Sequence, residues 1–302
     1  GRRRPRHVSD GSDGTTVTWR ELLAQTEDAV GERQWARWLC EVASGASGSQ
    51  EFLTMLDDAA TVRMVAHLDA MVARIGSGEP LQYVLGEWTF RRIELLVDRR
   101  ALIPRPETEQ LVDAAIALLA NLGPQRMVAD LGTGSGAIGL SLAAELPLEG
   151  TTVWITDADR DALDLASANI AGIGRPAVNV RAALGSWFEA LPSDVRFDVI
   201  VSNPPYVAVG SPDLEPGVLE WEPSSALFAG TDGLDDIRQL ISGAPAHLAD
   251  DGWLLLEIGA DQGGQVAALL TATRYRDVEI RADLAGRDRI AIGRRPSSPV
   301  SA

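Results

Sequence analysis

The sequence predicts an α/β protein, in which a mostly parallel β-sheet carries helices on both faces and follows a small α-helical domain. Two observations support this prediction. From about residue 110, short apolar runs alternate with helical patterns, which is typical of parallel strands joined by crossover helices. Before about residue 85, apolar residues recur at helical spacing instead.

The N-terminal helices begin at a capping-box pattern, because Thr18 is followed three residues later by Glu21. Apolar residues between Phe52 and Ile75 recur at helical spacing, which predicts a helix over 52–75. Glycines and a proline then interrupt the pattern. The stretches LQYVLGEWTF and IELLVD predict a β-rich connector between this region and the sheet.

The sheet region contains apolar runs that predict buried strands. The final strands, near VEIRA and RIAIGRR, follow each other without a full helix between them, so we expect one of them to run antiparallel. Strands are predicted at 127–131, 152–156, 197–202 and 253–258, with helices at 109–122 and 158–171. The basic arm at 1–16 and the tail at 296–302 are predicted to be disordered.

Composition excludes several classes of function. The net charge is −16, and no basic cluster outside the first seven residues resembles a nucleic-acid-binding patch. The single cysteine, Cys40, excludes an internal disulfide framework and fits a reducing cytoplasm. The three histidines have no metal-ligand spacing, and no apolar run reaches the ~18–20 residues of a membrane span. We therefore expect a cytoplasmic protein that binds no metal, membrane or nucleic acid.

A glycine-rich loop and an acidic residue predict a nucleoside-type cofactor. Residues 128–139 read VADLGTGSGAIG, so a strand ends near Asp130 and glycines allow close backbone approach before the next helix. Asp130 is a poor neighbour for a phosphate but a good one for a cation. Asp157 ends the next strand, where a carboxylate accepts hydrogen bonds from ribose hydroxyls. This pattern fits NAD or S-adenosylmethionine, although Asp157 or Asp159 could instead cap the following helix.

The corner Asn203-Pro204-Pro205-Tyr206 follows a predicted buried strand, at the sheet edge where ligands bind. The prolines lack N–H donors, so the corner offers mainly acceptors. The Asn203 side-chain oxygen and the Pro204 carbonyl could each accept one hydrogen of a planar NH₂ group. This arrangement would direct the nitrogen lone pair at an electrophile. The corner therefore predicts catalysis at an amino or amide nitrogen.

Several motifs together resemble one family, the HemK/PrmC protein-(glutamine-N5) methyltransferases. Similar corners occur in other amino-methylating enzymes, but the segment PRPETE joined to this connector is more specific. The family often has an acidic residue before the tryptophan of LGSWFEAL, where this chain has Ser186. The resemblance extends over about residues 20–293 and rests on PLQYVLGEWTF (80–90), IPRPETEQLV (103–112), DLGTGSGAIG (130–139), SNPPY (202–206), EPSSALFAGTDGL (222–234) and DLAGRDR (283–289).

The resemblance implies a class I S-adenosylmethionine-dependent methyltransferase with a Rossmann-like, mostly parallel seven-stranded sheet. It divides the chain into a helical substrate-recognition domain (17–78), a β-hairpin connector (79–108) and the methyltransferase domain (109–295). It implies the following site residues: Gly132, Thr133, Gly134, Ser135, Gly136, Asp157, Trp187 and Asn203 for the cofactor, and Asn203, Pro204, Pro205, Tyr206, Phe90 and Arg105 for the substrate.

The implied activity is methylation of the glutamine amide in the Gly-Gly-Gln loop of peptide chain release factors. A glutamine of a ribosomal protein is an alternative substrate, and a nucleic-acid amino group is a third. A NAD-dependent oxidoreductase fits the glycine loop but leaves the proline-rich corner unexplained. A binding module without activity is disfavoured by the intact corner and loop.

Overall fold

The computed structural model describes residues 16–211 and 216–296 of the chain. These residues form two compact units, one ending at Leu85 and the other beginning at Gly86. Within the described ranges, no helix combines the length and the apolar character that crossing a membrane requires.

The boundary between the two units falls inside the predicted connector (79–108). The predicted arm (1–16) and tail (296–302) lie outside the described residues, apart from one residue at the inner end of each. The limits of the helical domain (17–78) and of the methyltransferase domain (109–295) stay predictions.

The N-terminal unit is helical, as the sequence predicts. The capping box is present, because the Thr18 N–H donates to a Glu21 carboxylate oxygen at 2.9 Å and the Thr18 hydroxyl accepts from the Glu21 N–H. Trp19 and Phe52 are almost fully buried, and their rings pack edge to face with centroids 5.9 Å apart. The helices are α1 (Trp19–Val30), α2 (Arg33–Ser44), α3 (Ser49–Thr54), α4 (Val62–Gly76) and α5 (Leu81–Leu85).

The single helix predicted over 52–75 is wrong, because α3 ends at Thr54 and α4 begins at Val62. Thr61 is the N-cap of α4 and accepts a hydrogen bond from the Met64 N–H at 3.3 Å. The apolar pattern misled because two of its members are not core residues: Leu53 is 52% exposed and Val62 is 86% exposed. A new helix start, not a continuous stripe, explains the spacing.

The connector is only partly β-structure. The segment LQYVL was expected to be β-rich, but it forms the short helix α5, whose buried residues are Leu81, Tyr83 and Val84. The strands that follow are β1 (Glu87–Phe90) and β2 (Ile93–Leu96), which pair antiparallel as a hairpin.

The second unit contains a seven-stranded sheet in the order β5-β4-β3-β6-β7-β9-β8. Strands β3 to β7 pair in parallel, whereas β9 is antiparallel to both of its neighbours, as the missing crossover helix predicts. The strands are β3 (Arg126–Leu131), β4 (Thr151–Asp157), β5 (Val180–Leu184), β6 (Phe197–Ser202), β7 (Leu248–Glu257), β8 (Arg276–Ala282) and β9 (Asp288–Arg294). The helices are α6 (Thr108–Leu119), α7 (Ala137–Glu145), α8 (Arg160–Ile173), α9 (Pro216–Trp221), α10 (Asp235–Gly243) and α11 (Gly263–Ala272).

The strand order reverses between β3 and β6. From β3 the chain moves outward through β4 to β5, then returns to the other side of β3 and moves outward through β6 to β7. Since such crossovers are right-handed, α7 and α8 cover one face of the sheet and α10 covers the other. The crevice at the carboxyl ends of β3 and β6 is therefore a topological switch point, where open α/β sheets bind ligands.

One arginine anchors the hairpin to the sheet domain. Arg91 lies in the turn between β1 and β2 with a φ of 54°. Its guanidinium contacts Glu145 at the end of α7 at 2.6 Å and Asp113 on α6 at 2.7 Å, and donates to the Glu109 carbonyl at 2.9 Å. These contacts hold the hairpin turn against α6 and α7.

Candidate active site

The glycine-rich loop joins β3 to α7 in a conformation that needs glycine. Gly132, Gly134 and Gly136 have φ values of 68°, 56° and 90°. This is the left-handed region, where side chains are strained. A Cβ at Gly136 would also lie 2.7 Å from the Leu140 side chain. At Gly132 and Gly134 the loop therefore approaches the crevice with main chain alone, as the glycine spacing predicts.

Asp130 holds this loop from inside the protein. It is fully buried, and one of its carboxylate oxygens accepts from the Thr133 hydroxyl at 2.6 Å and from the Gly139 N–H at 2.8 Å. Burial raises the pKa of Asp130 to about 7, against the lowering effect of these two donors. The carboxyl does not line the cavity, so its role is to order the loop and not to face a cation there.

Asp157 ends β4 and reaches across to the loop. One carboxylate oxygen accepts from the Gly134 N–H at 2.8 Å and the other from the Asp159 N–H at 2.9 Å. Burial raises the pKa of Asp157, while these backbone donors act in the opposite direction. Asp159 is the N-cap of α8 and accepts from the Asp161 N–H at 2.8 Å. Asp157 and Asp159 both line the cavity, and Asp157, which is not the cap of α8, keeps further lone pairs for a ligand.

Trp187 packs against the glycine-rich loop at Gly132. It has a φ of 46° and begins a 3₁₀ helix (Trp187–Ala190). Its ring lies 3.1 Å from the position that a Cβ on Gly132 would occupy, which is a second reason for glycine there. Burial raises the pKa of Asp236, and a hydrogen bond from Trp187 opposes this rise.

Asn203, in the corner after β6, is partly buried and lines the cavity. Its Nδ2 donates to the Thr108 hydroxyl at 3.3 Å. Its Oδ1 is buried and accepts no hydrogen bond from any residue that the structure describes. Because buried acceptors are rarely left unpaired, this oxygen marks a place for a donor from a ligand. Pro204 is buried and Pro205 lines the cavity.

Tyr206 turns away from the cavity. Its hydroxyl donates to a Glu257 carboxylate oxygen at 3.3 Å, and its carbonyl accepts from the Gln262 Nε2 at 2.9 Å. Burial, together with the nearby charge of Glu257, raises the pKa of Tyr206 to about 12. The hydroxyl therefore stays protonated and acts as a donor at ordinary pH.

Two buried glutamates bond to residues that line the cavity, without lining it themselves, and were not predicted as functional residues. Glu257 ends β7 and accepts from the Thr108 hydroxyl at 2.6 Å. Glu222 pairs with the partly exposed Arg105 guanidinium and accepts from the Ile103 N–H at 3.1 Å. Two sequence signals could have identified them. Glu257 is a charged residue at the end of the apolar run WLLLE, and Glu222 is the first residue of EPSSALF.

A cavity of about 310 Å³ connects these parts. Among the predicted residues it does not reach Phe90, which is 1% exposed in the hairpin, nor Gly136, Pro204 and Tyr206. The predicted residues that line it are Gly132, Thr133, Gly134, Ser135, Asp157, Trp187, Asn203, Pro205 and Arg105.

Comparison with known proteins gives matches over both units. Residues 17–86 match the PrmC N-terminal domain family, and residues 108–215 match the Methyltransferase small domain family. A release factor glutamine methyltransferase of Xylella fastidiosa is 47% identical over 227 residues, which are 75% of this chain and 80% of that protein. The Vibrio cholerae protein of the same name is 40% identical over 255 residues, covering 84% of this chain and 86% of that protein.

Among solved structures, the catalytic domain of hMettl16 is 18% identical and covers 69% of this chain and 77% of its own, with a TM-score of 0.53. That likeness shows the methyltransferase fold alone. The relatives in sequence match most of both chains. The chain therefore belongs to the release factor glutamine methyltransferases, the family that its motifs predict.

Proposed function

We propose that this protein transfers a methyl group from S-adenosylmethionine to the side-chain amide nitrogen of a glutamine in peptide chain release factors. The observation that carries the proposal is the buried Oδ1 of Asn203, which has no hydrogen-bond partner among the described residues and lies beside a glycine loop at the switch point. Membership of the family supports the same substrate class. In that family the target is the glutamine of a Gly-Gly-Gln loop, as the resemblance of the motifs implies.

The residues around the cavity fit S-adenosylmethionine. Asp157 retains lone pairs for the ribose hydroxyls, because each of its oxygens uses only part of its capacity on backbone N–H groups. Gly132 and Gly134 present main chain without side chains, and Trp187 supplies an aromatic face next to them. When bound, the cofactor supplies an electrophilic methyl group on a positively charged sulfur. Neighbouring carboxylates favour this charge, and Asp157 provides one.

The corner provides what an amide nitrogen needs in order to react. A carboxamide NH₂ is planar and a poor nucleophile, because its lone pair is conjugated with the carbonyl. Asn203 Oδ1 can accept one of its hydrogens. The carbonyl of Pro204, a buried residue next to the cavity, is the proposed acceptor for the other, since proline leaves no N–H in competition. Fixing the nitrogen in this way supplies orientation, a contribution on the order of 7–11 kcal/mol in well-aligned systems.

The same acceptors favour the transition state. As the nitrogen forms its new bond to carbon it gains positive charge, and the partial negative charges of both oxygens face it. The bond between the methyl carbon and sulfur would break at the same time and leave a neutral thioether. The nitrogen would then release one proton to water and return to a neutral amide. No general base has to remove a proton before methyl transfer, because the nitrogen attacks in its neutral form.

The decisive experiment combines the protein and labelled S-adenosylmethionine with purified release factors, ribosomal proteins and DNA, and maps the labelled residue by peptide analysis. We expect label on the glutamine amide of a release factor, and none on a release factor in which that glutamine is replaced by glutamate. Label on a ribosomal protein or on DNA instead would contradict the proposed substrate. The net charge of −16 disfavours DNA.

A further inference from the structure

Glu257 is a charged residue that ends the apolar run WLLLE of β7, and its side chain does not reach the cavity. It is 1% exposed, and the three residues before it in β7 are buried leucines. Its carboxylate accepts two hydrogen bonds, from the Thr108 hydroxyl at 2.6 Å and from the Tyr206 hydroxyl at 3.3 Å. Burying a carboxylate is costly unless it is paired, so its position needs an explanation beyond packing.

The two hydrogen bonds of Thr108 determine which end of the Asn203 amide faces its hydroxyl. A threonine hydroxyl has one hydrogen, and here that hydrogen is donated to Glu257. Toward Asn203 the hydroxyl therefore offers only lone pairs, and Asn203 must meet it with the NH₂ end of its amide, as the contact of 3.3 Å from Nδ2 shows. The amide oxygen of Asn203, Oδ1, takes no part in this contact; it is buried and accepts no hydrogen bond from the described residues.

A neutral group in place of the Glu257 carboxylate would not fix the orientation of the Asn203 amide. A protonated Glu257 could donate to Thr108, which could then donate to the oxygen of Asn203. The amide of Asn203 would turn by half a rotation and present its NH₂ to the cavity. An NH₂ there would oppose a substrate NH₂, because two donors would face each other.

We propose that Glu257, acting through Thr108, is a positioning residue that fixes the orientation of the Asn203 amide, so that its oxygen accepts a hydrogen from the substrate amino group. The proposal rests on the proposed function for the identity of the substrate. Its consequence is discrimination: the site favours a side chain that ends in NH₂ over the otherwise similar carboxylate of glutamate.

The charged groups around Glu257 determine its response to pH. Burial raises the pKa of Glu257, while the Thr108 hydrogen bond, the positive charge of Arg289 and the Tyr206 hydrogen bond lower it and Glu107 raises it further. Arg289 on β9 is held by Asp283 at 3.5 Å, so its charge stays close. As the pH falls through the pKa of Glu257, the imposed orientation of the Asn203 amide is lost and turnover falls.

The first test removes the link in the middle. Thr108→Val keeps the size of the side chain but deletes the hydroxyl, whereas Thr108→Ser keeps the hydroxyl. Thr151→Val is the matched control, because the Thr151 hydroxyl is also buried, in β4, and bonds to none of the described residues. With wild type and each variant, we measure kcat, KM for release factor, the S-adenosylmethionine Kd, and inhibition by a release factor that carries glutamate at the target position.

We expect Thr108→Val to lower kcat about 10-fold or more, because Asn203 loses its anchor, with the cofactor Kd within about 2-fold of wild type. Inhibition by the glutamate-bearing release factor should strengthen, since Asn203 can now turn and donate. Thr108→Ser should restore turnover and discrimination, and Thr151→Val should match wild type. A merely structural role of Thr108 would leave the discrimination unchanged.

The second test removes the charge. Glu257→Gln should lower kcat and remove the acid-side fall in turnover that wild type shows. Glu79→Gln is the control, because Glu79 is also a largely buried glutamate, paired with Arg74 away from the cavity. If Thr108→Val and Glu257→Gln keep wild-type kcat, pH profile and discrimination, the proposal is overturned.

The two proposals fail in different ways. If wild type methylates another amino-bearing substrate but no release factor, the proposed function is wrong and the same variants are compared on that substrate. If wild type methylates a release factor and the variants behave like their controls, only the role of Glu257 is wrong. If no amino-bearing substrate is methylated, both proposals are overturned.

Discussion

Two buried carboxylates lie at the carboxyl edge of the sheet, and they hold different halves of the site. Asp130 near the end of β3 accepts from the Thr133 hydroxyl at 2.6 Å and from the Gly139 N–H at 2.8 Å. Both donors lie within nine residues of it, in the loop that it orders. Glu257 at the end of β7 accepts a threonine hydroxyl at the same distance, 2.6 Å.

The donors to Glu257 come from far away in sequence. Thr108 is separated from it by 149 positions and Tyr206 by 51. The contrast teaches that the glycine-rich loop is ordered by a residue close to it in sequence, whereas the surroundings of Asn203 are assembled by the tertiary fold. A substitution in or next to the glycine-rich loop should therefore alter the loop or the binding of its ligand. A substitution at Thr108 or Glu257 should alter the orientation of the Asn203 amide.

The largest effect is expected at Asn203, whose side-chain amide Thr108 and Glu257 are proposed to orient. Asn203→Ala removes the acceptor for the substrate NH₂ and should lower kcat by about 100-fold or more, while the S-adenosylmethionine Kd changes only a few fold. Labelled methyl transfer and calorimetric titration measure the two quantities. Asn121→Ala, which removes an exposed amide at the end of α6, is the control. Near-normal turnover of Asn203→Ala would exclude the assigned role.

The local half of this contrast could be predicted from sequence. The glycine spacing, the acidic residue after β4 and the parallel strands follow from patterns within short windows, and the structure contains all three. The lack of a helix between the last two strands also predicts that one of them runs antiparallel, and β9 does. The helix over 52–75 was wrong, because spacing alone cannot show that Leu53 and Val62 face solvent.

The distant half could not be predicted in this way. Nothing in the sequence around Thr108 or Glu257 shows that the two side chains meet, because their contact depends on α6 packing beside β7. Asp130 illustrates a different limit: its place before the glycines is visible in the sequence, but the direction of its side chain, into the protein, is not. The roles of individual site residues in binding and catalysis stay predictions.

The second effect concerns the local carboxylate, Asp130. Burial raises its pKa to about 7, so the folded protein holds this proton more tightly than the unfolded chain does. Between its ordinary pKa and about 7 the folded state binds more protons, and stability falls as the pH rises. We expect the free energy of unfolding of wild type, relative to Asp130→Asn, to fall by about 2–3 kcal/mol from pH 5 to pH 8.

Denaturant unfolding at both pH values measures this difference. Asp194→Asn, which removes an exposed carboxylate outside the site, serves as the control for the loss of one negative charge. A difference between wild type and Asp130→Asn that stays constant across this range, or that grows with pH, would contradict the assigned burial effect.

A smaller effect is expected at the ligand side of the loop. Asp157→Ala removes the proposed acceptor for the ribose hydroxyls and should weaken S-adenosylmethionine binding about 10-fold, with kcat at saturating cofactor within a few fold of wild type. Asp164→Ala is the control, because Asp164 is exposed on α8 and does not line the cavity. If Asp157→Ala abolished turnover even at saturating cofactor, the carboxylate would act in the reaction and not in cofactor binding.

The smallest effect tests a purely local contact in the other unit. Thr18 caps α1 with a reciprocal pair of hydrogen bonds to Glu21, whereas Thr61 caps α4 with one hydrogen bond, from the Met64 N–H. Thr18→Ala should therefore lower the free energy of unfolding by about 1 kcal/mol, and Thr61→Ala by less. Thermal unfolding of both variants measures the difference. An equal loss would mean that the carboxylate of Glu21 adds nothing to the cap, and that even local pairs contribute little when both members face solvent.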